Sequence, residues 1–374
     1  MAGVENKGLL AYNKQLDGLR CFAVLGVLIL HFVRFDNIYI SRIPFGQGVN
    51  LFFVISGFLI TRILLLNKES MKAGKTSAGK ILKSFYIRRT LRIFPIYYLT
   101  IFFLFAVNFQ NTRDVFPWLV SYTVNIYHSL DLPYIGSFNH LWSLAVEEQF
   151  YLLWPFLMLI IPSKHIGKFI VFVIASSLAF KIYWFSNYGY TGVINSFTLS
   201  CADSLGFGAL IAWWSVYKPD FSKRIGRMWY FIPLATIPFI YVVIYPRGNE
   251  DAAFVLNNFL YSLFAFFIVL RASQEKFSKP IAFILENPVV RHIGKISYGI
   301  YLYHFFMPDV YYYFNKYFPN RFPNEYEIQM PFYFIGALII AQLSWMLIEK
   351  PILKFKDRLS ETEKKKLQAK NNSI

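Results

Sequence analysis

Arg20 and His31 stand eleven residues apart in LDGLRCFAVLGVLILHFVRF, residues 16–35. On a helix that spacing is three turns plus about 20°, so both fall on one face, about 16 Å apart along the axis. The run is apolar, and an ionisable group inside a membrane span costs enough to point to function. A guanidinium holds an anion, and an imidazole moves a proton or attacks a carbonyl. Together they read as part of a reaction site.

Three further constellations carry chemistry. FYIRRTLRIFP, residues 85–95, places Arg88 and Arg92 at i,i+4 with Arg89 beside them. Guanidinium forks present paired donors to oxyanions, which suits phosphate; the same residues also suit anchoring at anionic lipid. NHLWSLAVEEQFYLLWP, residues 139–155, sets His140, Ser143, Glu147 and Tyr151 on one helical face, with Glu148 pointing elsewhere. Two adjacent carboxylates entering an apolar register are expensive, although acids also favour a helix N-terminus. ISYGIYLYHFF, residues 296–306, sets Tyr301 and His304 at i,i+3; such a histidine is more often a hydrogen-bond partner between helices than a reactive group. Asp203 in SCADSLGFG is a further carboxylate in an apolar stretch, suited to pairing with an Arg or His. Glu349 closes the last run, where an ion pair with a loop arginine would satisfy it. No HExxH, Cys/His cluster or Gly-x-Ser-x-Gly elbow occurs, so no metal is implied. His31 and Asp36 share the H-x4-D spacing of soluble acyltransferases, but five residues on a helix point them to different faces.

The elements that must position these groups are membrane helices. The 374 residues are 56% hydrophobic and 16% charged, against about a quarter charged in soluble domains. The formal charge of +17 lies in short connections between apolar runs, which fits cytoplasmic loops and not a nucleic-acid surface. Apolar runs near 19–35, 47–66, 93–110, 141–162, 169–186, 196–216, 229–246, 254–271, 296–314 and 331–349 predict ten spans. The stretch from Lys68 to Arg92 holds eight Lys/Arg and one Glu, so it is expected inside as one basic loop, with the N-terminus, the later basic loops and the C-terminus also cytoplasmic. The first run reads as a retained signal anchor. Residues 115–130, with Asn125 and His128, are too short to span and read as a re-entrant piece against a wet cavity. The expected fold is an all-α bundle of about ten transmembrane helices, one membrane domain over 1–352 with a basic tail at 353–374. Cys21 and Cys201 lie in apolar runs and imply no disulfide.

Two function classes fit: an enzyme taking a phosphorylated cytosolic donor to an acceptor from outside, and a transporter of an anionic or glycan-type solute. A transporter favours inverted repeats and paired broken helices, and neither is clear here. LDGLRCFAVLGVLILHF, GVNLFFVISGFLITRIL, RRTLRIFPIYY, HLWSLAVEEQFYLLWP, ISYGIYLYHFF and the terminal EKP, in that order over about 12–352, closely resemble the acyltransferase-3 family of membrane O-acyltransferases that modify surface glycans. The resemblance implies acyl-CoA, chiefly acetyl-CoA, as donor, and a glycan or small hydroxylated molecule as acceptor, at the cytoplasmic membrane. It implies that Arg20 and His31 form the catalytic pair and that Arg88, Arg89 and Arg92 grip the CoA phosphates; Glu147 is then expected to orient His31 or to bind acceptor hydroxyls. Glu148, Asp203, Tyr301 and His304 are then expected to meet the acceptor. One departure is visible: many members carry a basic residue two before the acid of SCADSLGFG, where this chain has Cys201.

Overall fold

The computed structural model describes residues 12–35, 43, 45–130, 132–189, 191–227, 250–319 and 325–354, and for 250–257 the backbone alone. Among these residues every regular element is helical. The first half of the chain forms α1 (Lys14–Phe32), α2 (Gly48–Lys72), α3 (Ala78–Ala106), α4 (Thr112–Val120), α5 (Val124–Ser129), α6 (Trp142–Ile160) and α7 (Ser163–Tyr188). The second half forms α8 (Gly192–Ser196), α9 (Ala202–Tyr217), α10 (Pro219–Arg227), α11 (Glu250–Ser273), α12 (Lys279–Leu285), α13 (Pro288–Lys295), α14 (Ser297–Tyr303), α15 (Met307–Tyr317) and α16 (Tyr326–Ser344).

Six helical stretches are long and apolar enough to cross a membrane: 14–32, 45–72, 78–106, 136–160, 163–188 and 326–354. The multi-pass expectation is met by these six. Of the other four expected runs, 196–216 condenses to the 16-residue α9, and 254–271 lies in α11, whose apolar part is 258–273. The run 229–246 lies outside the described residues. The run 296–314 is broken: a 3-10 turn at His304–Phe306 separates α14 from α15, and Pro308 in the first turn of α15 has no N–H to carry the helix through. The basic loop expected from Lys68 to Arg92 is mostly helix. α2 continues to Lys72 and α3 begins at Ala78, leaving a short turn in which Gly74 adopts φ +70, a left-handed position that glycine takes without steric cost.

The helices divide into two compact units, drawn from 1–78 with 121–297 and from 79–120 with 298–374. In the first unit α2 packs against α9, α6, α11 and α1. Gly57 faces the backbone of Leu205, and Gly208 faces the backbone of Val54, so closely that a Cβ at either position would collide with a carbonyl. Small residues of this kind let membrane helices approach backbone to backbone. α1 starts at Asn13, whose side chain accepts from Leu16 N–H, and it packs on α12 and α13 through Gly18 and Gly294. α13 starts where Asn287 accepts from Val289 N–H, with Pro288 in its first turn, where a missing N–H is harmless. Lys68 is buried near the end of α2 and donates to the Met158 and Ile161 carbonyls, closing the C-terminus of α6.

The re-entrant piece expected over 115–130 is two short helices. α5 belongs to the first unit, where the fully buried Asn125 exchanges hydrogen bonds with Gln149 of α6 at 2.8 and 3.3 Å. Gln149 also donates to the Tyr122 carbonyl at 2.9 Å, holding a residue whose φ of 53 breaks the helix. α4 belongs to the second unit. There Tyr97 and Tyr98 of α3 donate to the Leu119 and Val120 carbonyls at 2.8 and 2.9 Å. α15 meets α16 through Tyr311 against Phe332 and Tyr333, and Tyr303 donates to Ser344 at 3.3 Å.

Candidate active site

α1 is unbroken from Lys14 to Phe32, so Arg20 and His31 share one helix as their spacing requires. Arg20 Nη1 donates to Asp17 Oδ1 at 2.8 Å, one turn earlier. Asp17 is buried, and its own backbone is clamped against Gly294. The guanidinium is thereby fixed to the wall of the helix. His31 lies in the last turn, exposed, and donates a ring N–H to the Val27 carbonyl. A ring held that way keeps its lone pair on the other nitrogen, the form a general base or a nucleophile uses.

Glu147 sits half-buried on α6. Ser56 of α2 donates to its Oε1 at 2.6 Å, and Tyr151, one turn on, donates to Ser56 at 3.1 Å. The face predicted for Glu147 and Tyr151 is therefore real, and its focus is a serine. Glu148 is also half-buried. His140 lies not on α6 but in the 3-10 turn before it, buried, with Ser143 donating to its carbonyl at 3.2 Å.

Asp203 opens α9 and is almost wholly enclosed. Its Oδ2 takes a hydrogen bond from Lys181 Nζ of α7 at 2.5 Å, and its Oδ1 accepts from Ser204 N–H at 2.8 Å. The partner is thus a lysine, where Arg or His was expected. Cys201, two residues before Asp203, donates to the Asn195 carbonyl at 3.2 Å. Cys21 and Cys201 are buried thiols.

The remaining predicted residues belong to the second unit. Arg88, Arg89 and Arg92 lie inside α3, not at its start, because the helix begins at Ala78. Arg88 and Arg89 are half-buried side by side, and Arg92 is exposed. Arg92 also interacts with the charge of Glu349, which is buried and hydrogen-bonded to Ser344. That arginine is on a helix, where a loop residue was expected to satisfy Glu349. Tyr301 and His304 are both buried, with ring centroids 5.3 Å apart, and His304 Nδ1 lies 2.7 Å from the Tyr301 carbonyl. This bond lies within its own segment, not between helices.

Asp17, Ser56 and Lys181 complete these groups, and the sequence reading did not single them out. Asp17 announces itself by i,i+3 spacing from Arg20, and Lys181 as a lone cation in an apolar run. Ser56 carries no such signal.

The acyltransferase-3 model, described as an acyltransferase domain, matches residues 13–350. A Staphylococcus aureus (strain COL) protein named "Putative O-acetyltransferase" is 30% identical over 381 residues, covering 94% of this chain and 59% of that protein. The O-acetyltransferase OatA of Staphylococcus aureus (strain NCTC 8325) is 29% identical over 372 residues, covering 92% of this chain and 57% of OatA. The chain therefore spans less than three-fifths of the length of these relatives. No solved structure matches.

Proposed function

The chain belongs to the acyltransferase-3 family, and on that footing we propose that it transfers an acyl group, acetyl first among them, from cytosolic acyl-CoA to a glycan hydroxyl outside the cytoplasmic membrane or on a lipid carrier. The O-acetyltransferase relatives support O-acylation. Lys75, Lys164, Lys168 and Lys218 fall at the end of the first unit where α1 begins, which supports a cytoplasmic N-terminus by the positive-inside rule.

The observation that carries the mechanism is His31 at the exposed end of a membrane helix with its tautomer set by Val27. Neutral His31 takes the proton of the acceptor hydroxyl as that oxygen attacks the thioester carbonyl. The new C–O bond forms, the C–S bond breaks, and the proton leaves with the CoA thiolate. Arg20, held by Asp17 and about 16 Å down the helix by its rise of 1.5 Å per residue, works with His31 as the fixed cation of the pair. Arg88, Arg89 and Arg92 hold the donor phosphates by charge-assisted hydrogen bonds. Glu147, aimed by Ser56, orients the base or the acceptor. Glu148, Asp203, Tyr301 and His304 are assigned to acceptor binding. A rival within this reading has His31 itself acylated before passing the group on. Lipid surrounds the protein, and no nucleic acid takes part.

The test uses the purified full chain in detergent with labelled acetyl-CoA and glycans released from the host envelope. Transfer without two compartments excludes pure transport. Replacing His31 by Ala should lower the rate by about 10²–10⁴-fold with the protein still inserted in the membrane. Undiminished transfer by that variant removes His31 from the mechanism.

A further inference from the structure

The first unit contains a cavity of about 350 Å³ in which the assignments above use Asp203 alone. It lies where α2, α6 and α9 begin and toward the end of α7, with Asn258 of α11 beside them, so it sits toward one end of the unit. α1 reaches the same end with its last turn. Gly46 lines the cavity, and Leu30, next to His31, packs so close that a Cβ on Gly46 would lie 2.9 Å from its Cδ2.

The wall is made of carboxamides set in order. Gln47 donates to Asn258 Oδ1 at 3.1 Å, and Asn258 donates to Asn195 Oδ1 at 3.0 Å. Asn50 donates to Ser262 at 3.2 Å. Each bond fixes which end of the amide faces which way. His128 also lines the cavity; it is hydrogen-bonded to Asn139, and its buried Nε2 has no partner. Burial pushes the His128 pKa below the usual imidazole value, against an opposing contribution from Asn139. Among the described residues, the charged groups lining the cavity are Lys181 and Asp203, and these two neutralise each other. An anionic ligand would find no uncommitted cation there. Trp142 supplies one flat apolar surface. Oriented amide donors and acceptors, an unsatisfied imidazole nitrogen, one indole and no net charge match a neutral ligand dense in hydroxyls. The volume is at the lower end of the usual range for ligand pockets, about 300–1,000 Å³, which suits a single sugar unit.

We propose that this cavity is the acceptor subsite and holds one neutral sugar residue beside the end of α1 that carries His31; the word acceptor rests on the acyltransferase reading, while sugar binding does not.

Binding is measured apart from chemistry, by saturation-transfer NMR on the full chain in detergent with pooled neutral glycans from the host envelope. Wild type should transfer saturation to glycan protons, and Asn195→Ala and Asn50→Leu should lose most of it. Thermal unfolding is followed in parallel; if Asn50→Leu does not fold, Asn195→Ala on the short α8 decides alone. No saturation with wild type, or equal saturation in the folded variants, overturns the proposal. In the transfer assay the variants should raise the KM for glycan by about tenfold, the effect of losing one or two hydrogen bonds, with the KM for acetyl-CoA unchanged. A donor KM that moves instead overturns the assignment to acceptor. Glycan binding by a wild type that transfers no acyl group leaves the sugar site standing and removes the enzyme reading.

Discussion

Lys181 Nζ lies 2.5 Å from Asp203 Oδ2, joining the far end of α7 to the first turn of α9 with both side chains enclosed. The pair supplies Asp203 with a cation from another helix, while the residue two before the acid in sequence is the neutral Cys201. Removing one member of a buried pair leaves an uncompensated charge, at about 3–5 kcal/mol. Asp203→Ala should therefore lower the thermal unfolding midpoint in detergent markedly. Lys181→Met combined with Asp203→Leu should restore most of it, because two apolar side chains of similar volume leave no charge behind. Unchanged unfolding of Asp203→Ala would show that the pair carries no structural weight.

Ser56→Ala removes a 2.6 Å hydrogen bond from the Glu147 carboxylate. Such bonds contribute about 1.5–3 kcal/mol, so a positioning role predicts roughly a tenfold or greater fall in kcat with both KM values nearly unmoved. Glu147→Gln should cost more than Ser56→Ala. The opposite order would assign the chemistry to the serine.

Arg88→Gln and Arg92→Gln should raise the KM for acetyl-CoA with little loss of saturated rate, the signature of lost uniform binding. The wild-type donor KM should rise with ionic strength, since exposed charge interactions are screened over about 10 Å at 0.1 M salt, and the double variant should lose that slope. A fall in saturated rate at constant donor KM would contradict the phosphate-binding assignment.

Gly57→Ala and Gly208→Ala each drive a methyl group into a facing carbonyl. Overpacking of this kind costs about 1–3 kcal/mol, visible as a lower unfolding temperature and reduced yield. Gly79→Ala, which meets nothing within 4 Å, should be neutral or stabilising by about 0.5–1 kcal/mol. Equal responses at all three positions would mean that the α2–α9 contact is not tight.

The sequence announced the membrane helices wherever an apolar run was long and uninterrupted, as in α1, α2, α6 and α7. It misplaced the boundaries of α2 and α3 because Lys68 and Arg88 were counted by charge. Lys68 extends to two backbone carbonyls, and a long aliphatic stem lets a cation belong to a helix interior. The run 296–314 read as continuous because its residues are apolar throughout; the break depends on Pro308 and a 3-10 turn, which hydropathy does not register. Arg20, His31 and Glu147 stood out because charge in an apolar run is rare. Ser56 and the ring of amides did not, since neutral polar residues leave little trace in composition and acquire meaning only from what faces them. Asn258 and Asn195 are 63 residues apart in sequence.

The glycine seam between α2 and α9 has a mechanical consequence. A carrier that rocks one half-bundle past another needs a plane that slips, where side chains exchange partners at small expense. At Gly57 and Gly208 no side chain separates the main chains, and on either side of each glycine stands a residue with a Cβ: Ser56 and Phe58, Phe207 and Ala209. With main chain directly against main chain there is no layer of side chains to repack, so the seam resists sliding. Group transfer asks for no sliding there, because only the acyl fragment has to change hands.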